Sequence, residues 1–298
     1  MLRRQVLTAA FAAPAVAAVA SSRAQVKAPA TSPVQTRDGT SLFIRDWGEG
    51  RPVVFVASWA LASPMWAYQV AHLSDRGMRC VAFDRRGHGR SGVPRGGYDM
   101  DTFADDLAAV VERMGVSDVA LVGHSMGCAE ILHYLDRHGS RRVGKVALLA
   151  PAAPYLVKTA DNPYGAPRAY HDARMAEWAQ DFPKWIDANK APFFTPDTSP
   201  AMTDWLCDEL RTTPAPVAIA TFRALLAKDL RPALSRIDRP TLVIQGDKDA
   251  SAPLDITGRR VAAGIRGAEL KVYDGAPHGL FVTHMDQVNR DLEAFLGA

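Results

Sequence analysis

Short apolar runs recur along the chain at 53–57, 80–83, 119–122, 146–150, 242–245 and 270–273. Runs of this length predict strands buried on both faces. Between the second and third of them the period changes. Phe103, Leu107, Val110, Val111 and Met114 recur at helical spacing, Thr102 and Asp105 form a capping-box start, and Gly115 ends the run. Strand, helix, strand in repetition predicts an α/β fold, a parallel sheet covered by helices on both faces. Upstream, Asp38 and Gly39 predict a hairpin turn joining two antiparallel edge strands.

The pattern breaks between 151 and 216, where prolines are frequent and Trp178, Trp185 and Trp205 stand among short helix-like pieces. This stretch reads as a helical cap inserted between two parts of one core, 25–150 and 217–298. A cap there overhangs the carboxyl ends of the strands, where ligands bind in open α/β sheets, and is expected to set substrate choice.

The first residues follow another logic. Arg3 and Arg4 precede an apolar run at 6–20, and Ser22, Arg23 and Ala24 form a small-x-small site before Gln25. This predicts an export signal over 1–24, followed by a polar, proline-bearing leader at 25–33. The apolar run is shorter than the roughly 20 residues that span a bilayer, so no stable membrane insertion is expected. Paired arginines before Val6 and Leu7 suggest the twin-arginine route and a periplasmic destination. The signal carries Arg3, Arg4 and Arg23 and no acidic residue, which accounts for the whole formal charge of +3. A neutral mature chain has no electrostatic footprint for nucleic acid or anionic membrane. Cys80, Cys128 and Cys207 lie far apart, without metal-ligand spacing, and read as buried apolar residues.

Candidate chemistry begins at Gly123, His124, Ser125, Met126 and Gly127, a G-x-S-x-G motif that follows the run at 119–122 and precedes a helical pattern through Ile131, Leu132 and Leu135. A tight strand-to-helix turn strains the serine and presents its oxygen at a helix N-terminus. A serine hydroxyl is a weak nucleophile, so it needs a base, and the base needs an orienting carboxylate. Asp249 follows the run at 242–245, and His278 follows the run at 270–273 between small residues. The order Ser, Asp, His suits this architecture. Asp247 competes with Asp249, but is expected to serve the turn through local backbone hydrogen bonds. His72, His133, His138 and His284 read as ordinary helix or surface residues. Developing negative charge on the substrate oxygen needs two backbone donors. The amide of Met126 is one candidate and that of Trp59, on the loop after 53–57, is the other.

With these residues in place the chain resembles the α/β-hydrolase superfamily, and within it the cofactor-free (non-haem) haloperoxidase, aryl esterase and perhydrolase group. The likeness is most specific over 83–92, 98–108, 122–127, 240–249 and 271–279. It implies a mostly parallel eight-stranded sheet with a helical cap, Ser125 as nucleophile, His278 as base, Asp249 as orienter, Trp59 and Met126 as oxyanion donors, and no metal or organic cofactor. In that group hydrogen peroxide can intercept the acyl-enzyme in place of water, giving a peracid that oxidises halide. Relatives commonly have His-Gly before the oxyanion aromatic residue, where this chain has Ala57 and Ser58. Ala60 stands where proline or leucine often follows, and Cys128 where a further glycine is usual. Peroxide selection depends on the shape of that loop. The expected activity is therefore hydrolysis of small carboxylic, including aryl, esters, with perhydrolysis secondary. A lactonase or carbon–carbon bond hydrolase with the same three residues is the alternative, and a non-catalytic binding protein of this fold the more distant one. The expected partner is a small-molecule ester, and homo-oligomerisation is left open.

Overall fold

The computed structural model describes residues 33–297. The export signal expected at 1–24, and the leader up to residue 32, lie outside the described residues. In chain order the strands are β1 (Val34–Gln35), β2 (Ser41–Leu42), β3 (Ile44–Trp47), β4 (Arg51–Val56), β5 (Met78–Phe83), β6 (Val119–His124), β7 (Val143–Leu149), β8 (Thr241–Gly246) and β9 (Glu269–Tyr273). The helices are α1 (Ala67–Ser74), α2 (Met100–Arg113), α3 (Met126–His138), α4 (Arg168–Asn189), α5 (Pro200–Arg211), α6 (Ala215–Ala227), α7 (Arg231–Leu234), α8 (Gly258–Gly264), α9 (Leu280–Thr283) and α10 (Met285–Gly297).

Seven strands form one sheet in the order β3-β5-β4-β6-β7-β8-β9, parallel except for the edge strand β3. Alternate residues of each strand face opposite layers. Val54 and Val56 join Val81, Phe83 and Leu121 in a core against α2 and α3. Val53 and Phe55 join Cys80, Ala82, Ala120 and Val122 in a core against α1 and α10. Burial on both faces is why these strands read as unbroken apolar runs. From β4 the chain runs first to β5 on one side and then to β6 on the other. The crevice beyond the carboxyl ends of β4 and β6 is therefore the topological switch point, where open α/β sheets bind ligands.

The eight-stranded expectation is corrected to seven. The hairpin turn at Asp38 and Gly39 forms as expected, with Asp38 Oδ1 accepting from the Thr40 amide at 3.1 Å. Its strands β1 and β2, however, pair with each other in a separate two-stranded sheet. The loop at 84–92 holds β2 and the residue after it: the Gly92 amide donates to the Ser41 carbonyl at 2.8 Å, and the Phe43 amide donates to Ser91 Oγ at 2.9 Å. Helix α2 also starts earlier than its expected capping box. Its N-cap is Asp99, which accepts from the Thr102 amide at 2.8 Å. An Asp at that position satisfies an otherwise orphaned N–H.

Between β7 and β8 lie α4 to α7. Helix α4 is broken at Asp181 (φ −157°, ψ 83°), whose Oδ1 accepts from the Lys184 amide at 3.0 Å and so caps the restarted helix around Pro183. Helix α6 runs across the 216/217 boundary expected for the insertion, because Pro214 at its N-cap, not Pro216, begins the helix. Trp178, Phe182, Ile186, Cys207 and Leu226 build a third core within this insertion.

Candidate active site

Strand β6 delivers the chain to Ser125, which turns it into α3 with φ 55° and ψ −115°. That conformation is costly for a residue with a Cβ, by about 1–3 kcal/mol, and persists only where the surroundings enforce it. Here the Ser125 amide donates to the Leu149 carbonyl at 2.9 Å, and the Ser125 carbonyl accepts from the amides of Cys128 and Ala152, both at 3.1 Å. The start of α3 also lies hard against β4: a Cβ on residue 127 would come within 2.4 Å of the Val56 carbonyl oxygen, so only glycine fits. The Met126 amide opens α3, in the turn whose N–H groups have no partner within the helix. Cys128 is fully buried, and its thiol donates to the Leu149 carbonyl at 3.3 Å. It packs beneath the turn, like the other two buried, free cysteines in their own surroundings.

The loops after β8 and β9 supply the other two groups. Their close approach rests on Gly246, where a Cβ would stand 1.9 Å from the Ala276 carbonyl oxygen. The Lys248 amide donates to that carbonyl at 3.1 Å. Across this contact His278 Nδ1 meets Asp249 Oδ2 at 2.7 Å. The same carboxylate accepts from Gln245 Nε2 at 2.7 Å and from the amides of Ser251 and Ala252 at 2.9 and 2.7 Å. Four donors aim this carboxylate firmly at the imidazole. Asp247 does not meet the histidine. Its Oδ1 accepts from the Gly275 amide at 2.7 Å and its Oδ2 from Lys248 Nζ at 2.9 Å. Gly246→Ala should lower stability to urea by about 3 kcal/mol or more, because the overpacked neighbour is backbone and cannot move aside. Gly275→Ala has open space around it and meets only the left-handed penalty at φ 70°, about 1–2 kcal/mol. Equal stability losses in the two variants would contradict this reading of the loop contact.

His124, the variable position of the G-x-S-x-G motif, lies fully buried between these elements. Its Nε2 donates to the His278 carbonyl at 2.9 Å, and the two rings stand 4.8 Å apart. One hydrogen bond thus links the residue before Ser125 to His278. The insertion approaches from above: the Phe193 carbonyl accepts from the Gly279 amide at 3.0 Å, and the Phe193 ring lies 5.5 Å from that of His278. Ser125, His278 and Asp249 are only 7%, 5% and 4% exposed, so all three lie below the surface at the strand ends. The sequence reading missed both His124 and Phe193. The first occupies a position that the motif leaves free, and the second lies where no periodicity could be read.

Trp59 follows β4, and its side chain turns into the insertion. Its indole Nε1 donates to the Ala218 carbonyl of α6 at 2.8 Å, and its ring stands 4.4 Å from Trp178 and about as close to Phe182, Trp185 and Phe222 as aromatic packing requires. Three other histidines pair with carboxylates away from these loops: His72 with Glu293 at 2.8 Å, His138 with Asp105 at 2.7 Å and His133 with Asp101 at 2.5 Å. Among the described residues no group of three or more His, Cys, Asp or Glu side chains is arranged to hold a metal ion, and no helix is long and apolar enough to cross a membrane.

Fully buried His88 donates from Nδ1 to the Arg86 carbonyl at 2.9 Å. Burial, aided by the nearby Arg85 charge, pushes it down to about 3 from an ordinary value of 6.5. Between those two values the unfolded chain binds a proton that the folded chain does not, so stability rises with pH across this window. The urea midpoint should fall on acidification from pH 6.5 towards 4, with a shallower slope in His88→Gln. An unchanged slope in that variant would remove His88 from the account.

The alpha/beta hydrolase fold family model matches residues 51–285. A non-heme chloroperoxidase of Kitasatospora aureofaciens is 39% identical over 272 residues, covering 88% of this chain and 98% of the relative. A bifunctional esterase/perhydrolase of Acinetobacter calcoaceticus is 34% identical over 275 residues, with the same coverage of 88% and 98%. Among solved structures, an esterase from Exiguobacterium antarcticum superposes with a TM-score of 0.87 at 30% identity, covering 90% of this chain and 99% of the esterase. With fold, turn and relatives in agreement, the chain belongs to the α/β-hydrolase family, in its group of non-heme haloperoxidases and esterases.

Proposed function

We propose that the protein is a serine esterase acting on small carboxylic esters, aryl esters included, through an acyl-enzyme. The observation that carries this reading is the 2.7 Å contact between Asp249 Oδ2 and His278 Nδ1, in a histidine tied by His124 to the strained turn at Ser125. With its Nδ1 proton donated to Asp249, the imidazole keeps a lone pair on Nε2. That nitrogen takes the hydroxyl proton as Ser125 Oγ attacks the ester carbonyl, and the amides of Met126 and Trp59 receive the charge on the oxygen. The imidazolium, stabilised by Asp249, returns the proton to the leaving alcohol. Water then enters by the same base and releases the acid. The aromatic group around Trp59 favours an apolar or aryl substituent, and the perhydrolase activity named for the Acinetobacter relative becomes a side reaction here, since the 57–60 loop departs from that group's pattern.

Two assays test this. A fluorophosphonate probe should label one peptide, that containing Ser125, and the protein should hydrolyse short-chain and aryl acetates, with added peroxide giving less peracid than acid. Failure to label Ser125 would overturn the serine mechanism; labelling without turnover of any ester would move the substrate to a lactone or a carbon–carbon bond. In the same reading residues 1–24 direct export to the periplasm, so the N-terminus of protein recovered from that compartment should be Gln25, and protein retained at full length inside the cell would count against it.

A further inference from the structure

Two arginines of the loop after β5, Arg85 and Arg86, are buried charges that the chemistry above leaves unused, and Arg85 is the one that reaches the turn before Trp59. Arg85, just after β5, is 2% exposed. Its Nε donates to Glu130 Oε1 of α3 at 2.6 Å, its Nη2 to the Ala57 carbonyl at 2.7 Å and its Nη1 to the Ser58 carbonyl at 3.1 Å. Ala57 and Ser58 are the two residues before Trp59. Taking a guanidinium and a carboxylate out of water together is rarely favourable for stability alone, and an apolar pair often serves as well. The placement of this pair therefore invites a reason beyond packing.

The reason lies in the peptide plane. The Ser58 carbonyl and the Trp59 amide belong to one peptide unit, and the only cis peptide bond among the described residues is at Ala153-Pro154. In a trans planar peptide C=O and N–H point opposite ways, so a donor fixed on the carbonyl fixes the direction of the amide. A cationic donor on the carbonyl oxygen also polarises the unit and makes its N–H a stronger donor. The rest of the loop is held as firmly: the Ser58 amide meets Met65 Sδ at 3.2 Å, and the Ala60 carbonyl accepts from Thr213 Oγ1 at 3.0 Å. Ala60 itself is kept at φ 57°. The Trp59 amide finds no acceptor among the described residues.

We propose that Arg85, held by Glu130, is the positioning residue for the oxyanion site: it clamps the Ser58–Trp59 peptide so that the Trp59 amide points at the substrate oxygen. Glu130 stands on the helix that begins at Ser125, so the clamp also ties the donor to the nucleophile's own helix. This inference rests on the serine esterase reading.

The test compares Arg85→Lys, which retains a charge for Glu130 and cannot reach both carbonyls, with the double variant Arg85→Met, Glu130→Met, which leaves no buried charge unpaired. Glu130→Gln, which keeps an acceptor for Arg85 Nε, serves as the conservative control. Folding is checked by circular dichroism, and kcat, KM and the inhibition constant of a trifluoromethyl ketone, whose serine adduct carries an oxyanion, are measured on an aryl acetate. Loss of a single oxyanion donor lowers turnover by about 100-fold or more, and a misaimed donor should cost at least about tenfold. In Arg85→Lys and the double variant kcat and kcat/KM should fall together by that factor, with the ketone weakened in parallel and KM nearly unchanged. Glu130→Gln should stay within a few-fold of the parent. Folded variants that keep both kcat and ketone affinity would overturn the clamp while leaving the esterase reading intact. A parent protein without ester hydrolysis or ketone binding would overturn both.

Discussion

Ser125→Ala should abolish ester hydrolysis, lowering kcat by about 10⁵–10⁶-fold, the scale on which a serine nucleophile acts together with its base and orienter. The loss should come without loss of fold, since the turn is enforced by the amide and carbonyl contacts of residue 125 and not by its hydroxyl. A second substitution sharpens the point. Ser125→Gly should be equally inactive yet at least as stable as the parent, because glycine adopts φ 55° and ψ −115° without the clash that a Cβ meets there. A gain of about 1 kcal/mol in urea denaturation would mark strain kept for function, the usual form of a stability–activity trade-off. A Ser125→Ala protein that retains more than about one part in a thousand of the parent's turnover, above the residual rate that an oxyanion site and binding supply, would remove Ser125 as the nucleophile.

The second large effect separates two neighbouring aspartates. Asp249→Asn should lower kcat by about 10³–10⁴-fold. An asparagine cannot accept the Nδ1 proton and the three other hydrogen bonds at once. With Ser251 and Ala252 amides on Oδ1 and the Gln245 amide on Oδ2, its NH₂ must face a donor wherever it points. The imidazole then loses the partner that holds its tautomer and stabilises its charge. Asp247→Asn should leave kcat within about threefold, because Asp247 bonds only the Gly275 amide and Lys248, and the amide oxygen of asparagine can still serve such a turn. Steady-state kinetics on one aryl acetate decide between them, and the reverse ranking would assign the orienting role to Asp247.

The fold was legible in the chain wherever burial is complete. Val53 to Val56 and Val119 to Val122 read as strands because both of their faces are covered, and the helix of Phe103 to Val111 read as a helix because only one of its faces is. The order of serine, aspartate and histidine followed from the same strands, since each group sits on the turn just past a run that could be counted. The errors fell at the edge. Two residues of β1 and two of β2 cannot show whether they join a sheet or pair alone, because that depends on what the 84–92 loop offers their backbone.

Local pattern is decided by nearest neighbours along the chain, and this protein's apolar periodicity, its turn glycines and its G-x-S-x-G motif are all of that kind. The sequence by itself thus determined the α/β architecture, the strand-to-helix turn at Ser125 and the loops on which Asp249 and His278 stand. Only the tertiary structure decided which aspartate faces the histidine, that His124 joins His278 to the serine turn, that Phe193 comes down on His278, and that Arg85 reaches back to Ala57 and Ser58. These are contacts between residues 27 to 154 positions apart or at loop ends whose direction a single glycine sets, and such distances close only when the sheet has brought the strands together.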